Sequence, residues 1–347
     1  MSAEPPRMIA GQAIVGEDLV LSPVEITVEQ GVIAAIEETS RAPDLWICPA
    51  FFNAHTHLGD TIAMDCAVSG DLESLVTPPD GLKHRYLRAA SPAELAAGMR
   101  KSMLLMKSCG TAGCADFREG GTGGVEALKS ASAGLRFRTL IFGREGGERI
   151  ADGLGISSTR DVPDAAAIAA GARKAGRLVA CHAGERDSLD VDEALSLSPD
   201  LIVHATHATE RQLKECADRD IPIAVCPQSN WLLSVTRSPD NPPISRMLEL
   251  GCRVFLGTDN VMFVQPDMPA AMAFLHTVYH IDPEEILRMA VAGSILTGDP
   301  FYLTRGARAN LILFNPRRTN LGFSRDPVAS IVKRGTSLRP CKNVFNL

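Results

Sequence analysis

Five of the eight histidines fall in three short clusters, each at the end of an apolar run that reads as a buried strand. In Phe52-Asn53-Ala54-His55-Thr56-His57 the two imidazoles are two residues apart, so on a strand both point to the same side and can grip one ion. In Cys181-His182-Ala183-Gly184-Glu185 a histidine closes a strand and a carboxylate follows on a glycine-containing loop, where one group can ligate while the other moves protons. In Val203-His204-Ala205-Thr206-His207 the second histidine lies just past the strand end, and His204, one turn of chain deeper, reads as structural. Val254 to Thr258 then runs into Asp259, an expensive place for a carboxylate unless it meets a cation or a donor. Three imidazoles and one carboxylate, His55, His57, His182 and Asp259, make a site for one divalent metal: Zn2+ first, with Fe2+ or Mn2+ as alternatives.

These groups need elements that bring them to one place. Met8 to Glu38 alternates apolar and polar residues in short runs broken by Gly11, Gly16, Pro23 and Gly31, the pattern of hairpin strands. From Trp46 the pattern becomes apolar strands followed by Ala-rich helical stretches such as Leu95 to Lys107, which predicts a parallel sheet covered by helices. Strand runs are expected at 45–53, 112–117, 137–142, 153–157, 178–183, 201–205, 221–226 and 253–258. Eight strands over about 250 residues match the size of a (β/α)8 TIM barrel, which aims such side chains into the mouth at the C-terminal ends of its strands, with a doubly wound sheet as the alternative. After a helix at Pro283 to Ala292, Gly306 to Phe314 reads as a turn and a short strand expected to rejoin the N-terminal β element.

The order Pro-Ala-Phe-Phe-Asn-Ala-His-Thr-His-Leu, His-Ala-Gly-Glu, His-Ala-Thr-His, Cys-Pro-Gln-Ser-Asn and Leu-Gly-Thr-Asp resembles the amidohydrolase superfamily. More narrowly it resembles the cytosine, guanine and adenosylhomocysteine deaminase and chlorohydrolase branch. The resemblance covers nearly the whole chain and implies a small β-sandwich made of residues 1–47 and 303–347 beside a barrel at 48–302. It puts His55 and His57 at the end of barrel strand one, His182 on strand five, His207 on strand six and Asp259 on strand eight. Two-metal members carry a carboxylated lysine after strand four; the stretch Gly153 to Asp164 holds no lysine, which favours one metal. The loop Leu58 to Asp65 differs from the specificity loops of those relatives and leaves the substrate open.

The expected reaction is hydrolysis, with ammonia leaving an amino-substituted heterocycle such as a nucleobase, nucleoside or pterin. Glu185 would shuttle the proton, His207 would stabilise the developing oxyanion and Asp259 would relay a proton to the leaving amine. Hydrolysis of chloride or an amide nitrogen, or a non-catalytic metal-binding barrel, are the alternatives. Substrate contacts are expected from Arg118, Glu119, Arg144 and Glu145, which follow strands two and three, and from Ser229 and Asn230 in the strand-seven turn. Pro78-Pro79-Asp80-Gly81 reads as a turn in a long loop over the site.

Composition sets the outer bounds. Thirty-five Lys and Arg against 41 Asp and Glu lack the basic excess that a phosphate backbone requires, so a small molecule and not nucleic acid is the expected partner. No apolar run spans a membrane and Met1 to Arg7 lacks the apolar core of a signal peptide, which predicts a cytoplasmic protein. The nine cysteines are scattered within apolar stretches and are expected to be reduced; Cys109 and Cys114 lack a second pair at zinc-finger spacing. Barrels of this kind often pair, so a homo-oligomer is an expectation without a sequence marker.

Overall fold

The computed structural model describes residues 5–66, 72–78, 80–337 and 342–343; Pro79 of the expected turn lies outside them. The chain opens with three antiparallel strands, β1 (Arg7–Val15), β2 (Val20–Glu29) and β3 (Val32–Glu38). On β2 the residues Val24, Ile26 and Val28 are buried, whereas Glu25 and Thr27 between them are only partly covered. One face therefore packs and the other meets water. With β4 (Trp46–Pro49), β14 (Leu311–Phe314) and β15 (Lys342–Asn343) they form one six-stranded mixed sheet in the order β15-β14-β4-β1-β2-β3. The tail thus rejoins the N-terminal element through Leu311–Phe314, antiparallel to Trp46–Pro49. Ile26, Ile33, Ile47, Leu303 and Leu311 fill the core of this sheet.

Strand β4 runs through Ala50 straight into the first barrel strand, β5 (Phe51–His57), so the small sheet directly anchors the strand that carries His55 and His57. The barrel continues with β6 (Thr111–Arg118), β7 (Arg138–Gly143), β8 (Gly153–Ile156), β9 (Leu178–Ala183), β10 (Leu201–His204), β11 (Ile223–Val225), β12 (Val254–Leu256) and β13 (Asp259–Asn260). All pair in parallel, in the order β12-β11-β10-β9-β8-β7-β6-β5-β13. Together β12 and β13 are one barrel strand interrupted at Gly257-Thr258, and they close the ring: the Thr258 amide donates to the His55 carbonyl (3.2 Å), and Asp259 and Asn260 pair with Thr56 and His57. Gly257 makes this closure feasible, because a Cβ there would lie 2.8 Å from the His55 Cβ. Every residue of β5 and β6 is buried, as strands covered on both faces must be.

The helices follow their local signals. The one over Pro92–Ser108 begins with a capping box, Ser91 with Glu94, and a proline in its first turn. Its boundaries extend the expected 95–107 by one turn at the start, and the helix at Pro283–Ala292 matches the expected span. Among the described residues no helix is long and apolar enough to cross a membrane. Among the described residues no cysteine is in a disulfide, and Cys114 is buried and Cys109 partly so, as small apolar packing residues are.

Candidate metal centre

The C-terminal ends of the barrel strands bring four histidines and one aspartate together. His55 Nε2 lies 3.1 Å from Asp259 Oδ1 and His57 Nε2 lies 3.5 Å from the same oxygen. The His55 ring centre is 4.9 Å from that of His57, 4.8 Å from His182 and 5.7 Å from His204. Two ligand sets could each hold an ion, His55 with His57 and His182, and His55 with His204 and Asp259; within each set the ligand atoms lie within 4.8 Å of one another. Because both sets contain His55, they describe one centre.

The protonation states fit a metal. Burial lowers the His55 imidazole to about 4 and the His57 imidazole to about 3, and takes His182 well below the ordinary value, so all three are neutral at pH 7 with lone pairs to give. Burial would raise Asp259, but the His55 hydrogen bond and the adjacent imidazoles outweigh it and hold the group well below the usual range as a carboxylate. Neutral imidazoles and a carboxylate are the donor set of a catalytic zinc-type site. The outer contacts point the same way. His182 Nδ1 donates to the Ile156 carbonyl at 2.8 Å, His57 Nδ1 meets Glu119 Oε1 at 2.9 Å, and Ser229 Oγ donates to Asp259 Oδ2 at 2.6 Å. Each contact occupies the atom facing away from the cluster and leaves Nε2 or Oδ1 turned inward, as bound ligands are held.

Beside this centre lies a small cavity of about 70 Å³ bordered by His57, His182, His204, Asp259, Glu185, Lys83 and Arg144. Glu185 Oε1 is 3.6 Å from His204 Nε2, and burial raises its carboxyl above the ordinary value. Among the described residues His204 Nδ1 has no hydrogen-bond partner. The Arg144 side chain is 11 % exposed, its Nη1 is 3.8 Å from Glu119 Oε1, and its Nε and Nη2 have no hydrogen-bond acceptor among the described residues. A guanidinium buried with two idle donors is costly unless a ligand supplies acceptors.

The expected placement of His207 is corrected by the structure. The strand ends at His204, where His204 and Ala205 take φ of 77° and 47°, so the chain turns before the expected end at residue 205. This turn sends His204 into the cluster, whereas His207 Nε2 reaches the Val235 carbonyl at 3.2 Å and borders no part of the cavity. The substrate-contact expectations also change. The segment after β5 covers the end of β6, so Arg118 and Glu119 are buried beneath it and bonded to each other (2.6 Å). Arg118 also reaches Met99 Sδ and Asp116, and a Cβ at Gly59 would run into that guanidinium and have to displace it from its carboxylates. Glu145 is exposed and accepts from the Gly120 amide, Asn230 donates to Thr206 Oγ1 at 2.7 Å, and Ser229 is engaged on Asp259. Of the six, Arg144 borders the cavity.

The sequence reading missed His204 as a cavity residue and missed Asp60, Lys83 and Asp116. Lys83 is 3 % exposed and donates to Asp60 Oδ2 at 3.1 Å and Glu119 Oε1 at 3.0 Å. Burial would lower its ammonium, but Asp60 and Glu119 hold it above the ordinary value. An ammonium between two carboxylates is no candidate for a negatively charged lysine carbamate, which agrees with a single ion.

A TIM barrel with imidazoles and a carboxylate converging at the C-terminal mouth defines a metal-dependent hydrolase, one that uses a divalent ion. The comparisons narrow the class. The adenosine deaminase family model matches residues 152–297. A putative aminohydrolase of Methanothermobacter thermautotrophicus is 32 % identical over 97 % of this chain and 96 % of its own length. Another from Archaeoglobus fulgidus is 34 % identical over 86 % of this chain and 87 % of its own. The crystal structure of an atrazine chlorohydrolase from Arthrobacter aurescens complexed with zinc superposes with a TM-score of 0.77 at 17 % identity, over 94 % of this chain and 90 % of that one. The chain belongs to the amidohydrolase superfamily, and it is an amidohydrolase-type enzyme acting on C–N bonds in small molecules.

Proposed function

We propose that the enzyme is a zinc-dependent aminohydrolase that releases ammonia from an amino-substituted heterocycle, a nucleobase, nucleoside or pterin-like ring. The observation that carries this reading is the pairing of Glu185 and His204 at 3.6 Å on the wall of the cavity that His57, His182 and Asp259 also border. The ion would be held by His55, His57, His182 and Asp259, with residues 48–302 forming the catalytic unit and 1–47 with 303–347 the small one. The names of the aminohydrolase relatives and the adenosine deaminase family model support ammonia as the leaving group.

When bound, a divalent ion lowers the pKa of water toward neutrality and so supplies a nucleophile at pH 7. Glu185 would take a proton from the attacking water and deliver it to the ring nitrogen beside the amino-bearing carbon, while the water oxygen bonds to that carbon. A raised carboxyl suits this exchange, since it is a stronger base than an ordinary carboxylate and takes the proton from water more readily. His204 donates to the incoming oxygen. Asp259 takes the remaining hydroxyl proton and passes it to the amine; the C–N bond breaks, ammonia leaves and the carbonyl forms. Arg144 directs its idle donors to an acceptor on the substrate and fixes its orientation.

The test is ammonia release from a panel of purines, pterins, pyrimidines and amino-substituted nucleosides by zinc-loaded enzyme, with Glu185→Gln as the blank. A hit absent from the blank supports the reading and names the ring class. Silence across the panel from protein that holds one ion per chain overturns ammonia as the leaving group.

A further inference from the structure

The excursion between β5 and β6 contributes a group to the site that no part of the proposed chemistry uses. Lys83, on the helix Leu82–Ala89, reaches under the cavity and places its ammonium between Asp60 and Glu119. Glu119 Oε1 is the atom that holds His57 Nδ1, so the lysine and the imidazole share one carboxylate oxygen at 3.0 and 2.9 Å. The other oxygen, Oε2, is taken by Arg118 at 2.6 Å. Arg144 is the next cation, 3.8 Å from Oε1, and its two idle donors would let it swing onto that oxygen if Lys83 were absent.

We propose that Lys83 is a positioning residue for the metal centre: it pins Glu119 so that His57 is held with Nδ1 outward and Nε2 toward the ion, and it leaves Arg144 free to face the cavity. The inference rests on His57 being a ligand. Outer partners of a metal-bound imidazole fix its tautomer and ring orientation, and losing one commonly weakens the metal ~10–100-fold. Lys83 acts one step further out, so a loss of about tenfold is expected.

Electrostatics alone predicts the opposite, because deleting a nearby cation favours a bound cation. The clean test therefore removes the ion pair as a unit. Lys83→Met with Asp60→Asn keeps the net charge and leaves no buried unpaired carboxylate. Zinc affinity is measured by chelator competition and the ligand field by the visible spectrum of the cobalt-loaded protein, with thermal unfolding of the metal-free form as the folding control. The double variant should fold, bind zinc about tenfold more weakly and shift the cobalt bands; Lys83→Arg, which keeps a donor on Glu119, should stay within about threefold of wild type. Wild-type affinity and spectrum in the double variant, or equal loss in Lys83→Arg, would overturn the proposal and leave a fold-stabilising ion pair. If the double variant does not fold, Lys83→Arg and Lys83→Met are compared by the same readouts, and equal zinc affinity in the two overturns it. Failure of the wild type to bind zinc at all would instead sink the metal reading of His57.

Discussion

The two walls of the barrel mouth are built on different principles. Under His57, on the side of β5 to β7, Asp60, Lys83, Asp116, Arg118 and Glu119 are all buried and bonded to one another at 2.6 to 3.4 Å. Around His204, on the side of β9 and β10, the contacts between charged and titratable side chains that face the cavity are sparser and longer: Glu185 lies 3.6 Å from His204, Arg186 lies 3.9 Å from Asp161, and His204 Nδ1 has no hydrogen-bond partner among the described residues. Although Asp60 Oδ1 has no hydrogen-bond partner among the described residues, so densely paired a network resists rearrangement, because each group would leave a buried charge behind. A sparse wall leaves its groups able to gain and lose protons and to accept a substrate's polar atoms. The first wall holds the centre and the second works on what enters it.

This division predicts where turnover and metal binding separate. Glu185→Gln removes the proton carrier from the sparse wall and touches no ligand, so kcat should fall ~10²–10⁴-fold with metal content unchanged. Metal analysis beside steady-state rates checks it, and a near wild-type rate would remove Glu185 from the mechanism. A step smaller is His204→Asn. Losing one donor to a developing oxyanion costs ~10²–10³ in kcat, while His207→Asn, whose ring is tied to the Val235 carbonyl, should change kcat little. If the two substitutions gave the reverse order, the turn at His204 would not be what aims the working imidazole.

The network wall should answer in affinity and not primarily in rate. Glu119→Gln keeps the shape but loses the charge that orients His57, and zinc should bind ~10–100-fold more weakly. Competition with a chelator measures this. Unchanged affinity would reduce Glu119 to an ordinary buried ion pair.

What the sequence made legible follows the same line. His55 and His57 announced themselves because a strand's two-residue period puts both on one face of a segment that is apolar up to Phe52. Gly257 and Asp259 were visible as an apolar run ending in an acid, and the ring closure that brings Asp259 to His55 needs no more than parallel pairing. The exchange of His204 for His207 has a local cause. Two successive residues with positive φ, neither of them glycine, carry no sequence mark, so the strand looked longer than it is. Lys83 and Asp60 were hidden for a tertiary reason. The helix over Leu82–Ala89 is rich in Lys, His and Arg and reads as a solvated face, and only the packing of that helix across the end of β6 turns one lysine into a buried one. Arg118 and Glu119 are legible as charges following strand two but not as buried ones, because the covering segment that buries them is remote in sequence.

The smallest effect concerns pH, and it tests whether the imidazoles are as dry as the contacts imply. Burial sets His55 at about 4 and His57 at about 3 in the folded metal-free chain, against an ordinary value of 6.5 when unfolded. As pH falls below 6.5 the unfolded chain takes up these protons first, so stability is full above that value and is lost progressively down toward the folded values. The metal-free enzyme should therefore lose several degrees of thermal midpoint between pH 7.5 and pH 5, and bound zinc should oppose the loss by binding only the folded state. Replacing His55 and His57 together by Asn, which has no proton to gain, should make the metal-free profile shallower over that interval, with His182 and His84, which burial also lowers, carrying the slope that remains. An equally steep decline in the double variant would place the acid sensitivity in those two imidazoles and not in the strand pair.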